Sequence, residues 1–164
     1  MLLTDYTTVD EVRATLGVSS TEITDAILLQ TRWTFQASLA LEDINADMPD
    51  MYTTVAAINA NSRTKEQQRY YDLVRIFMCY SICQELVAAL PMFSVQTLTD
   101  GKASFTRFAA AYAETIAANM GMFNSLRYRV GAAYVALVPG AVVSTSVTQT
   151  FTVASNIGVD PVTG

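Results

Sequence analysis

Apolar side chains recur at intervals of three and four residues along most of the chain, which is the spacing of one face of an α-helix. A first helix is predicted over residues 8–16, because Thr8 and Glu11 form a capping box and Gly17 supplies a stop. A second helix is predicted from about Glu22 to Ile44, with apolar residues on two faces. Such a helix usually packs on two sides or against a neighbouring subunit.

A polar connection is predicted next, from Asn45 to Asn61. It contains Pro49 and carries at most a short helical turn at residues 55–58. The clearest helical pattern in the chain follows it, from Lys65 to about Leu90, and Pro91 is expected to end that helix.

The next segment has a weaker pattern, in which residues 93–99 partly alternate and then meet Asp100-Gly101. Because Asp-Gly is a two-residue turn signal, a short β-hairpin into Lys102 to Phe105 is predicted, with a plain loop as the alternative. A last helix is predicted from about Ser104 to Leu137, with a kink or break near Gly121.

The composition changes at Val138, and the remaining 27 residues hold eight Ser or Thr and one charged residue. Alternation there predicts an extended segment with one apolar side, on which lie Val147, Gln149, Phe151 and Val153. A lone strand cannot satisfy its own backbone. It therefore needs a distant segment, the hairpin region or another chain as its partner, and a disordered tail is the alternative.

These elements predict a mainly α fold, an antiparallel helical bundle over residues 1–137 with a short β-hairpin. An extended C-terminal arm with β-strand character follows over residues 138–164. The length of 164 residues suits one core. Only 15% of the residues are charged, below the roughly 25% of an average soluble domain. This low fraction suggests that other subunits cover part of the surface.

The charges are unevenly distributed along the chain. Residues 1–61 carry two basic and nine acidic groups, hence −7, whereas residues 62–137 carry eight basic and five acidic groups, hence +3. One interpretation is ordinary scatter of charges over solvated helix faces. The other is a head-to-tail contact between copies, which opposed charges suit and which closes into a ring when the rotation allows. Arg127 and Arg129 are the predicted inter-subunit charge contact; the alternative is that they only favour a helix C-terminus.

Little in the sequence predicts catalysis or a bound cofactor. The chain has no histidine and no glycine-rich phosphate motif, which excludes Ser–His–Asp triads and zincin sites. Cys79 and Cys83 are interpreted as buried small hydrophobes rather than a redox or metal pair. A solvated acidic face is favoured over a cation site for the cluster of Glu42, Asp43, Asp47 and Asp50. We therefore predict no enzyme, no metal and no cofactor, and neither a signal peptide nor a membrane span is visible.

The opening of the chain resembles that of a known family. The segment from Tyr6 to Val18, followed by Thr21-Glu22-Ile23-Thr24-Asp25 and a long helix, resembles the head-to-tail adaptor (connector) proteins of tailed bacteriophages. Those proteins continue with an antiparallel helical bundle and finish with an extended arm. The order of elements agrees along nearly the whole chain, and the sequence-specific likeness covers about the first 25 residues.

The resemblance implies a structural virion protein of the phage neck, made in the host cytoplasm during assembly. Adaptors form a homo-oligomeric ring, commonly of twelve copies, beneath the portal protein. They extend the channel through which DNA passes at ejection, without specific binding, and they dock the tail, nozzle or stopper protein. The arm would contact the portal or a neighbouring adaptor subunit, and no membrane is involved.

Two alternatives belong to other classes. One is a tail-completion or stopper protein, or another ring-forming virion subunit, although such proteins are usually richer in β-structure. The other is a small helical enzyme that would act through carboxylates such as Glu42, Asp43 and Asp47.

Overall fold

The computed structural model describes residues 2–93, 97–100, 103–106 and 111–144, which form six α-helices, one β-hairpin and two short 3-10 helices at Leu3–Asp5 and Ala60–Ser62. The mainly helical fold predicted from the sequence is confirmed. In chain order the elements are α1 (Val9–Leu16), α2 (Asp25–Leu28), α3 (Thr31–Glu42), α4 (Met48–Ala57), α5 (Lys65–Phe93), β1 (Thr97–Asp100), β2 (Ala103–Thr106) and α6 (Ala111–Leu137).

Helix α1 begins and ends where the sequence predicted. The Thr8 hydroxyl accepts a hydrogen bond from the Glu11 backbone N–H at 3.1 Å, and the Glu11 carboxylate accepts one from the Thr8 N–H at 3.0 Å. Gly17 ends the helix with a φ of 68°, a left-handed conformation that costs glycine little.

The single helix predicted over residues 22–44 is wrong, because the chain forms two helices there. Helix α2 ends at Leu28, Gln30 is extended with φ −65° and ψ 126°, and α3 then begins at Thr31. The Trp33 indole N–H donates to the Ile27 carbonyl at 2.8 Å, which satisfies an acceptor in the last turn of α2. A side chain of the next helix thus holds the break.

The polar connection predicted over residues 45–61 is also wrong, since it contains the ten-residue helix α4. Pro49 lies in the first turn of α4, where a backbone N–H has no intrahelical acceptor, so proline favours the start of a helix. Met48, Tyr52 and Val55 are buried at helical spacing and attach α4 to the core.

The hairpin between the two long helices is present. Strands β1 and β2 pair antiparallel, with Asp100 opposite Ala103. Helix α5 runs through Pro91 to Phe93, so its predicted end at Leu90 is wrong; proline disfavours a helix beyond the first turn but does not always end it. Helix α6 begins at Ala111, later than predicted because residues 103–106 form a strand, and it continues without a break through Gly121.

Helix α5 lies at the centre of the bundle and packs against α1, α3, α4 and α6. Phe77 of α5 stacks on Phe123 of α6 with ring centroids 5.1 Å apart, and Tyr70 lies 6.0 Å from Tyr134. The α6 residue number rises as the α5 number falls, so the two long helices are antiparallel. Their packed faces leave the outer side of the first half of α5, and the adjoining side of α6, exposed to solvent.

Candidate functional site

The structure separates the two arginines that the sequence grouped together. Arg127 is only 8% exposed, and one of its terminal nitrogens donates to the Asp43 carbonyl at 3.3 Å. Asp43 follows the last residue of α3, where backbone carbonyls concentrate negative partial charge. Arg127 therefore ties α6 to α3 within one chain, and the predicted inter-subunit contact is not supported there. Arg129 is exposed and remains available.

Arg129 forms part of a groove that two long helices share. The groove has a volume of about 700 Å³ and lies between the first half of α5 and the second half of α6. Lys65 and Arg69, one helical turn apart on α5, line it together with Arg129, and Leu73 and Ile76 line its other end. We call this surface the basic groove.

Arg63 also lines the basic groove, but its guanidinium is already engaged. It donates to the carbonyls of Val55 and Ala56, each at 3.1 Å, and lies 3.9 Å from the centre of the Tyr71 ring. These contacts tie the end of α4 to α5. These internal contacts account for an arginine at position 63, and no external ligand is needed to explain it.

The other three cations of the basic groove have no ion-pair partner in the described part of the chain. Lys65, Arg69 and Arg129 are exposed, and none makes an ion pair or hydrogen bond to any residue that the structure describes. The carboxylate of Asp72 also lines the groove, so three exposed cations and one carboxylate leave it net positive and able to attract an anionic surface. The sequence held a signal for two of them, since Lys65 and Arg69 stand four residues apart in the positively charged part of the chain.

An acidic surface lies at the corner between α3 and α4. Its members are the exposed carboxylates that end α3 and begin α4, namely Glu42, Asp43, Asp47 and Asp50. No cation of the described residues lies within ion-pair distance of them. We call this surface the acidic edge. Across the described residues, no group of three or more Cys, Asp or Glu side chains is placed to hold a metal ion.

The exposed face of α3 continues the acidic edge with apolar side chains. Phe35 is 64% exposed and Leu39 is 41% exposed. These two residues and Asp43 follow one another at intervals of four, so they lie on one face of the helix. We call Phe35 and Leu39 the apolar stripe. Large apolar side chains grouped on a surface commonly mark a contact with another protein.

The chain leaves the bundle beside the acidic edge. After α6, the Ser144 N–H donates to the Ile44 carbonyl at 2.8 Å, and the Asn45 side-chain amide donates to the Val142 carbonyl at 2.9 Å. Val143 packs against the core close to Gly131 and Ile44. Residues 138–144 therefore pack with the bundle. The predicted arm contacts Val147, Gln149, Phe151 and Val153 lie outside the described residues.

The two cysteines are free and buried, as predicted, beside a cleft between α1 and α5. A hydrogen bond from Cys83, together with one from Thr15, lowers the pKa of the Cys79 thiol to about 7 despite its burial. The same bond and burial raise the pKa of Cys83. The Cys83 thiol also contacts the Val12 carbonyl at 3.7 Å, so both sulfurs have partners within the core.

No helix within the described ranges has the length and apolar character needed to cross a bilayer. No protein family, curated protein or solved structure matches the chain in comparison. A function for the chain is therefore inferred from its surfaces. These are the basic groove, the acidic edge with its apolar stripe, and the point where the C-terminal segment leaves the bundle.

Proposed function

We propose that this chain is a structural subunit of a tailed-bacteriophage virion, a head-to-tail adaptor. Copies would assemble as a ring between the portal and the tail and would continue the DNA channel. The proposal joins the resemblance of the N-terminal segment to surfaces that suit contacts with other protein chains.

One observation carries the proposal: the C-terminal segment is fastened to the bundle at one defined corner. Two hydrogen bonds hold residues 142–144 against Ile44 and Asn45, and Val142 is 84% exposed there. Residues 145–164 start from this point, and a fully extended chain of that length reaches roughly 65–70 Å. A fixed starting point with that reach suits an arm that binds a second protein.

The alternating pattern of the arm suits strand addition onto the portal. Backbone groups would supply affinity, and the side that carries Phe151 and Val153 would enter apolar pockets. Burial of one aromatic side chain contributes about 1.5–3 kcal/mol, so Phe151 is the expected anchor.

The overall acidity of the chain suits a DNA channel. A net charge of −5 repels phosphate rather than binding it. A repulsive wall lets a duplex slide during packaging and ejection. In this proposal the chain performs no chemical step, and its work is binding and positioning.

The proposal is tested by co-sedimentation of the full-length chain with the portal protein encoded in the same genome. The native chain is expected to sediment with portal rings and to appear as an added tier in electron micrographs. Phe151→Asp is expected to abolish that attachment. Thr152→Asp, which adds the same charge on the opposite side of the extended segment, is the matched control and should attach almost normally.

Two results would contradict the proposal. A native chain that stays monomeric and never sediments with portal rings is not an adaptor. Equal attachment of the Phe151→Asp and Thr152→Asp variants would show that the arm does not bind through its apolar side.

A further inference from the structure

The basic groove stays net positive even with Asp72 in its lining, and the acidic edge is negative, so one chain exposes two surfaces of opposite charge. Among the described residues, Lys65, Arg69 and Arg129 have no ion-pair partner. The carboxylates of the acidic edge have no cationic partner there either. A surface of one kind that meets a surface of the other kind on the next copy makes a heterologous contact. Repetition of that contact builds a closed ring or a filament.

Each surface also has an apolar end, and the two ends lie at matching distances from the charges. On α3, Phe35 stands eight residues before Asp43, about 12 Å along the helix. On α5, Ile76 stands seven residues after Arg69, about 10.5 Å along the helix. Ile76 is 45% exposed, so it is open to a partner.

The order of charge and apolar group fixes the orientation of the contact. On α3 the apolar end comes first and the acidic end last, whereas on α5 the basic end comes first and the apolar end last. Charges meet charges and apolar groups meet apolar groups only if the two helices run in opposite directions. An amphipathic helix in a groove is a common mode of protein recognition.

We infer that α3 of one copy binds in the basic groove of the next copy, antiparallel to α5, so that Asp43 faces Arg69 and Phe35 faces Ile76. This inference rests on the proposed function, for which it supplies the contact between neighbouring subunits. Because the groove and the stripe lie on different elements, one chain can offer both surfaces at once, which a ring requires.

A charge-swap experiment tests the contact. One variant carries Asp43→Lys and Asp47→Lys, and a second carries Arg69→Glu and Arg129→Glu, all at exposed positions. Each variant alone would bring like charges together. Its self-association constant, measured by sedimentation velocity, should therefore fall at least about tenfold. An equimolar mixture restores opposite charges at both kinds of contact and should assemble like the native chain.

A matched control separates this contact from a general effect of net charge. Glu85→Lys with Glu114→Lys changes the net charge by the same amount as the acidic-edge variant, at exposed positions outside both surfaces. That control should assemble alone like the native chain. Circular dichroism of every variant checks that the bundle remains folded.

Cross-linking tests the orientation. Phe35→Cys on one copy and Ile76→Cys on another should form a disulfide under oxidation, because the contact brings the two positions together. The native cysteines are buried, so they should not compete. Phe35→Cys with Lys65→Cys should not, because Lys65 stands about 16 Å from Ile76 along α5.

The outcomes distinguish the inference from the proposed function. If the native chain assembles with the portal but the mixture does no better than either variant, the contact is wrong and the adaptor proposal stands. If each charge variant alone assembles normally, the contact is also wrong. A native chain that remains monomeric even with the portal overturns the adaptor proposal and this contact together.

Discussion

Reversing the charge of Arg127 is expected to destabilise the bundle, whereas reversing that of Arg129, two residues away, is expected to leave it intact. Arg127 is buried, with one hydrogen bond of 3.3 Å to the Asp43 carbonyl and a buried Nε that finds no partner among the described residues. A glutamate there would place a carboxylate against the carbonyl end of α3. An uncompensated buried charge costs about 3–5 kcal/mol.

The expected change in melting temperature follows from the size of the domain. A chain of this length loses roughly 2–4 °C for each kcal/mol, so Arg127→Glu should lower the midpoint by about 6–20 °C. Arg127→Met keeps most of the side-chain volume and removes a poorly satisfied buried charge, so its stability should stay close to native or rise. Arg129→Glu lies on an exposed face and should change stability by no more than about 0.5 kcal/mol.

Thermal and urea unfolding followed by far-ultraviolet circular dichroism gives these stabilities, and sedimentation velocity gives assembly. The two arginines should separate cleanly, with Arg127→Glu changing stability and Arg129→Glu changing assembly alone. A native midpoint for Arg127→Glu would refute the assignment of Arg127 to the core. A large loss of stability in Arg129→Glu would refute the exposure of that residue.

Two further predictions concern stability. Burial raises the pKa of Tyr6 to about 12 and also raises that of Tyr70. As the pH rises, both hydroxyls therefore ionise in the unfolded chain before they ionise in the folded one. The free energy of unfolding should fall as the pH rises from 10 toward 12. Urea midpoints across that range check this, with a smaller fall in Tyr70→Phe, and an unchanged native midpoint would contradict it. Gly121→Ala should stabilise α6 by about 0.8–1 kcal/mol, since an added Cβ meets no atom within 4 Å. Gly17→Ala, at a φ of +68°, should destabilise in the same melt, and a lower midpoint for Gly121→Ala would contradict the continuous helix.

The sequence predicted elements well where local signals determined them. The capping box of Thr8 and Glu11 and the stop at Gly17 identified α1 because those groups bond to the backbone within one turn. The prediction was wrong where a signal has two meanings or a partner is distant. Pro49 marks a loop or the first turn of a helix, and burial of Tyr52 determines which. The break before α3 depends on the Trp33 indole bond, which a helical pattern does not reveal.

The site was less predictable than the fold because exposure depends on packing. Arg127 and Arg129 are chemically alike, yet positions two apart on a helix point in nearly opposite directions. The two side chains therefore lie on nearly opposite sides of α6, and the periodicity of α6 already contained that information. The basic groove needs Arg129 of α6 beside Lys65 and Arg69 of α5, a juxtaposition that arises only when the long helices pack.

The fastening of residues 142–144 to Ile44 and Asn45 has a mechanical consequence. Tension applied to the C-terminal segment is met first by two hydrogen bonds at the corner between α3 and α4, and only after they yield by the end of α6. The same corner holds the acidic edge, and Arg127 braces it from α6. Load taken up by a tethered C-terminus therefore enters the molecule where three helices meet, so the whole bundle shares the strain instead of one helix fraying from its end.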